Sequence, residues 1–108
     1  MNGGARSPSD HGAGAIDPVV HEPVRLTLMV ALDGHEADFT YLKNHLGLTD
    51  GNLLFHLRKL GEAGYVTSAS RRVGSRRLTF YRLTPEGREA LDRYREVMRH
   101  LLGGEPPR

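Results

Sequence analysis

Residues 42–63, LKNHLGLTDGNLLFHLRKLGEA, constrain this chain more than any other stretch. Two short amphipathic helical patterns meet at Gly47, and the second opens on Thr49, a hydroxyl residue suited to cap a first helical turn. Leu42 and Leu46 lie four apart in the first pattern, and Gly47 fits the left-handed position that ends a helix. In the second, Leu53, Leu57 and Leu60 fall at i, i+4 and i+7, a single core-facing stripe. At about 100° per residue, the opposite face carries Gly51, Phe55, Arg58 and Glu62, flanked by Leu54 on one side and by Asn52 with Lys59 on the other. The turn Gly47-Leu48-Thr49 has the length expected between two helices that meet at a sharp corner.

From Tyr65 the period changes from helical to extended. Residues 65–73 and 78–83 are rich in Tyr, Val, Thr and Phe, and the join at Gly74-Ser75 predicts a Gly-first two-residue hairpin turn. Arg71, Arg72, Arg76 and Arg77 are then expected to crowd the hairpin tip. Thr84-Pro85-Glu86 follows as a helix start: hydroxyl cap, proline in the first turn, acid beside it. That helix should run to about Leu102, and its Leu91, Tyr94, Met98 and Leu101 step by three, four and three, with Ala90 and Val97 alongside. Such a seam suits pairing with a second copy across a two-fold axis.

Upstream, Asp17 and Pro18 suit an entry turn, and Glu22-Pro23 opens the segment VRLTLMVAL. Val24, Leu28 and Ala31 make one stripe there, and Leu26, Met29, Val30 and Leu32 broaden it. A helix so widely apolar is expected to be central, touching the helix pair on one side and a further surface, such as another subunit, on the other. Asp33 and Gly34 should close it. His35 to Asp38 are expected to form a polar loop, with Phe39 a short strand or staple residue before a helix over 41–46.

The chain of 108 residues suits one domain, expected over 17–102, between a disordered Gly-, Ala- and Ser-rich tail at 1–16 and a flexible tail at 103–108. It contains no cysteine, which removes disulfides, thiolate metal ligands and cysteine nucleophiles. No apolar run is long enough to span a bilayer and no signal-peptide core is evident, so a cytoplasmic location is expected. The formal charge of +2 is unevenly placed. Between residues 43 and 82, eight basic side chains face two acidic ones, a net of +6, leaving −4 for the rest. Segregation of this kind favours a polyanionic partner, because neutralised phosphates release counterions.

These patterns predict an α+β, mostly helical fold: a winged helix-turn-helix with a β-hairpin wing and a long C-terminal dimerisation helix over 84–102. The helix at 49–63 would enter the DNA major groove. There Gly51 permits close backbone approach, Asn52 can pair with adenine, and Arg58 or Lys59 can reach guanine or phosphate. The wing, 70–78, would lie along the backbone or insert an arginine into the minor groove. Charge that merely protects an edge hairpin from aggregation is the blander account of the same arginines. No phosphate loop, metal-protease pattern or nucleophile elbow points to an enzyme, and no cofactor is implied. Asp92, Glu96 and His100 stack at i, i+4 and i+8, a spacing compatible with metal but equally with a salt-bridged face alongside Arg93, Arg95 and Arg99. His56, beside the core stripe, is expected to be a hydrogen-bonded packing residue or a phosphate contact.

The segments HEPVRLTLMVAL, LGLTDGNLLFHLRKLGEAGYV and VGSRRLTFYRLTPEG, with the long last helix, resemble the small winged-helix transcriptional regulators grouped near the MarR and ArsR families, over roughly residues 18–102. The resemblance implies a homodimer that binds operator DNA and represses or activates a promoter. By position it puts base contacts on Asp50, Gly51, Asn52, Leu54, Phe55 and Arg58, phosphate contacts near Thr49 and Lys59, and wing contacts on Arg71, Arg72, Arg76 and Arg77. The dimer interface falls on Leu91, Tyr94, Val97, Met98 and Leu101. Relatives usually carry small polar residues where this chain has Leu54 and Phe55, and often proline in place of Asp50. Thymine methyls would suit such an apolar pair, as would a protein surface or an apolar ligand. Two other functions therefore share the fold: a protein-interaction module using Leu54, Phe55 and the arginines, and a sensor responding to metal or a small effector.

Overall fold

The computed structural model describes residues 15–103, so the two expected tails lie almost wholly outside the described residues. Four helices, α1 (Pro23–Ala31), α2 (Phe39–Leu46), α3 (Asp50–Glu62) and α4 (Pro85–Leu101), accompany three strands, β1 (Glu36–Asp38), β2 (Val66–Val73) and β3 (Arg76–Leu83). The strands form one antiparallel sheet in the order β1-β3-β2. The expected α+β winged-helix architecture is borne out.

Each helix begins at a side chain that accepts a hydrogen bond from a first-turn amide, which would otherwise lack a partner. Glu22 accepts from the Arg25 amide at 2.7 Å, Asp38 from Tyr41 at 2.7 Å, Thr49 from Asn52 at 3.1 Å and Thr84 from Gly87 at 2.9 Å. Gly47 ends α2 at φ 67°, as its position predicts. Gly74 opens the hairpin turn at φ 64°, the conformation a Gly-first turn requires.

The segment expected as a polar loop differs. Glu36–Asp38 is a strand, with Glu36 opposite Arg82, Ala37 opposite Tyr81 and Asp38 opposite Phe80. Phe39 is then the first residue of α2, capped by Asp38, and its ring meets Tyr81 at 6.4 Å between centroids. A three-residue polar strand carries no alternation signal of its own; it exists because β3 offers it an edge.

Leu28, Met29 and Leu32 from α1, Leu42 from α2, Leu53, Leu57 and Leu60 from α3, Val66 from β2, and Ala90 and Leu91 from α4 form the core, closed by Val20. Leu91, expected on an intersubunit seam, is thus fully buried within its own chain, and Val97 is also buried there. Tyr94 and Met98 are half-buried, and Leu101 is exposed. Asp33 ties the end of α1 to α4 through Arg88 at 3.0 Å and Arg95 at 3.2 Å.

One junction locks the end of α3, the start of the hairpin and the start of α4. The Tyr65 amide donates to the Leu60 carbonyl at 2.9 Å, and the Tyr65 carbonyl accepts from the Thr84 amide at 3.0 Å. The Thr84 hydroxyl donates to the Gly64 carbonyl at 2.5 Å. Gly87 packs so closely here that a Cβ would lie 2.1 Å from the Tyr65 carbonyl oxygen. Since that oxygen is backbone, no rotamer change relieves the clash. Gly87→Ala should therefore destabilise the domain by about 2–3 kcal/mol and lower Tm by roughly 10–20 °C in thermal unfolding followed by circular dichroism.

The Tyr65 hydroxyl donates to the Asp17 carboxylate, pinning the entry turn across this junction. Burial, and then this carboxylate, push the phenol up from 10.0 to about 12. A phenol whose folded pKa exceeds its unfolded value stabilises fully below the unfolded pKa and loses that contribution as pH rises through the folded one. Chemical unfolding between pH 10 and 12 should show a loss of stability that is shallower in Tyr65→Phe.

Candidate nucleic-acid interface

Burial of Leu53, Leu57 and Leu60 turns one face of α3 inward and leaves Asp50, Gly51, Asn52, Leu54, Phe55, Arg58 and Lys59 on the exposed side. Nothing lies within 4 Å of a Cβ added at Gly51, so packing does not demand glycine there; its effect is a low spot on the outer face. Leu54 and Phe55 stay 44% and 47% exposed. The Phe55 ring stands edge-on to His56 at 5.0 Å, and Lys59 Nζ lies 5.7 Å from its centroid. His56 is mostly covered: its Nδ1 is 3.2 Å from Arg25 Nη1 and 3.7 Å from the Glu22 carboxylate. Arg25 in turn donates through Nε to the Val19 carbonyl at 2.7 Å. His56 is therefore a packing residue that braces α3 from behind.

Asp50, one of two acids on this face with Glu62, pairs with Lys43 of α2 at 3.1 Å. The pair is exposed and adds little stability. Its effect is electrostatic: it mutes a charge that would repel an anion. Lys43 counted toward the basic lobe in the sequence, but only proximity in space joins it to Asp50.

The wing arginines divide by strand alternation. Arg72 stands directly opposite Arg77, on the sheet face that also carries Val66, Tyr81 and Leu83; Arg71 and Arg76 belong to the other face. Arg71 folds back along the sheet instead of extending at the tip. Its guanidinium lies 3.6 Å from the Phe80 ring centroid and bonds the Glu36 carboxylate at 2.5 Å. Sequence reasoning missed Glu36, because its role depends on the strand that was read as a loop. Among the described residues, the side chains of Asn52, Arg58, Arg72, Arg76 and Arg77 make no intramolecular hydrogen bond or ion pair.

The Asp92, Glu96 and His100 stack is taken up in ion pairs. Asp92 binds Arg95 at 3.0 Å, while Glu96 binds Arg99 and lies 3.2 Å from His100 Nε2. Among the described residues, no group of three or more His, Cys, Asp or Glu side chains is placed to hold a metal ion, and no helix is long and apolar enough to cross a membrane.

Residues 24–102 match the winged helix DNA-binding domain family. The chain belongs to that family. It is 39% identical over 77 residues to an uncharacterized protein of Methanocaldococcus jannaschii, covering 70% of this chain and 84% of that protein. Among solved structures it resembles a transcriptional regulator homologue from Pyrococcus horikoshii OT3, with TM-score 0.73 and 30% identity over 80% of this chain and 86% of that one. It also shares its fold with the transcriptional regulator BldR from Sulfolobus solfataricus, with TM-score 0.65 and 23% identity over 77% of this chain and 59% of that one. The resemblance to winged-helix regulators is thereby borne out.

Arg71 holds the Glu36 carboxyl below its ordinary value, first through the hydrogen bond and then through its charge, with Arg82 adding to it. A depressed folded pKa stabilises above the unfolded value of 4.5 and is lost as pH falls through the folded one. Carboxyl titration by NMR should return Glu36 toward its ordinary value in Arg71→Ala. Glu36→Gln, which releases Arg71, should steepen the salt dependence of duplex DNA binding by about one ion.

Proposed function

We propose that the protein is a transcriptional regulator of the MarR/ArsR-like kind that binds operator DNA as a homodimer in the cytoplasm. In this reading α3 enters the major groove and the wing follows the backbone or an adjacent minor groove. The observation that carries it is the set of cations and polar groups left without protein partners. Asn52 and Arg58 lie on the outer face of α3, and Arg72 stands directly across from Arg77 on the hairpin. Like charges at directly opposed strand positions destabilise a hairpin. A phosphate backbone relieves that repulsion, and counterion release adds to the gain.

Neighbours that are themselves transcriptional regulators support the regulatory role. Exposed Val30 on α1, Leu101 at the end of α4 and Leu102 just beyond support pairing of these helices with their copies. With Leu91 and Val97 committed to their own chain, the intersubunit seam would rest on Tyr94, Met98, Leu101 and Leu102.

The test is in vitro selection of bound duplexes, followed by titration across a range of salt. Arg76→Ala with Arg77→Ala should weaken binding to every sequence alike and reduce the salt slope by about two. Asn52→Ala or Arg58→Ala should alter sequence preference instead, at a cost of about 1–3 kcal/mol for the preferred site. Protected half-sites should lie about one DNA turn, roughly 34 Å, or a multiple apart. Absence of affinity at low salt overturns the proposal, and a monomer in sedimentation on the selected duplex overturns the dimer.

A further inference from the structure

Leu54 and Phe55 are left over once the polar readers are assigned. Other exposed large hydrophobic residues, Val30, Tyr41, Val73, Leu101 and Leu102, lie off this helix. Leu54 and Phe55, consecutive on the outer side of α3, are its exposed large hydrophobic residues, and charged side chains flank them. Lys59 is over the Phe55 ring, Arg58 follows within one helical turn, and Asp50 on the preceding turn is muted by Lys43. Protein-binding hot spots are buried inside a wider ring of contacts. In a major groove, by contrast, the prominent apolar group on a base edge is the C5-methyl of thymine.

We propose that Leu54 and Phe55 read thymine methyl groups, making them specificity-determining residues of the DNA-binding face; this rests on the DNA-binding reading above. The Phe55 ring is set edge-on against His56, which Arg25 and Glu22 hold from behind, and this contact narrows its choice of rotamers. A prearranged ring loses little freedom on contact, so burial of a methyl against it is retained as affinity. Gly51, one turn earlier, adds no side chain to keep the bases away from this spot. Leu54 and Phe55 precede Arg58 by four and three positions, about 4.5–6 Å along the helix at 1.5 Å per residue. At about 3.4 Å per base pair, the thymine contacted should lie one or two base pairs from a guanine contacted by Arg58.

The experiment uses the full chain and the duplex recovered by selection, with each thymine replaced in turn by deoxyuridine, which keeps the pairing and removes only the methyl. Wild-type protein should lose about three- to fivefold in affinity at one or two positions in each half-site, next to a guanine whose replacement is also costly. Phe55→Ala or Leu54→Ala should bind the thymine duplex more weakly and no longer distinguish uracil at those positions; both residues are exposed, and circular dichroism verifies folding. At a contacted position, 5-methylcytosine should be bound more tightly than cytosine. Wild-type indifference to deoxyuridine at every position, with tight and salt-dependent binding preserved, would overturn the methyl reading alone and redirect the apolar pair to a protein partner. Failure to bind any duplex would instead overturn the DNA-binding reading, and this inference with it.

Discussion

Three leucines hold α3 in one rotational setting. Leu53, Leu57 and Leu60 are at most 4% exposed, and burying each contributes about 1.5–3 kcal/mol. Rolling the helix by one residue, about 100°, would expose that stripe and bury Arg58 or Lys59 in its place. The composition of the outer face is therefore a consequence of the inner one. Thr49 fixes where the helix begins, and Arg25, Glu22 and His56 fix its distance from α1. Any interface built on that outer face depends on this restraint, because small displacements break paired hydrogen bonds.

The wing inherits its direction from the same helix. Only Ala63, Gly64 and Tyr65 separate α3 from β2, and Tyr65 is bonded on one side to Leu60 and on the other to Thr84. The cap of α4 is thus also the clasp of the hairpin base. Gly87 brings α4 against the Tyr65 carbonyl at a distance that any side chain would prevent. Helix α3, the hairpin and α4 are consequently tied to one another at a single junction around Tyr65.

Much of this was legible in the chain because it is local. Thr49 and Thr84 as caps, Gly47 at the end of α2, the leucine stripe of α3 and the Gly74 turn are each encoded within a few residues of where they act. What escaped notice depends on partners far away in sequence. Glu36–Asp38 is a strand only because β3 pairs with it, and Arg71 turns back because Glu36 is on that strand. Leu91 shares the helical spacing of Met98 and Leu101, yet it meets the core and they do not. Periodicity identifies a face; it does not say what covers it. Gly87 likewise carries no local signal in the chain, and its constraint is visible only where two backbones meet.

The cations of the basic lobe are of two kinds, and net charge conceals the difference. Arg71 and Lys43 are held by Glu36 and Asp50, whereas Arg58, Arg72, Arg76 and Arg77 are not engaged by protein groups among the described residues. A held cation must leave its carboxylate before it meets a phosphate, so much of its Coulomb gain is offset by the contact it breaks. An unengaged one starts from a solvated state, and Arg72 opposite Arg77 starts from repulsion. Phosphate affinity should consequently concentrate at the hairpin tip and around Arg58 of α3, with the Glu36 side of the sheet contributing less than its arginine suggests. Unengaged charge on the outer face of α3 and at the hairpin tip, two elements joined at one junction, suits a polyanion that can reach both.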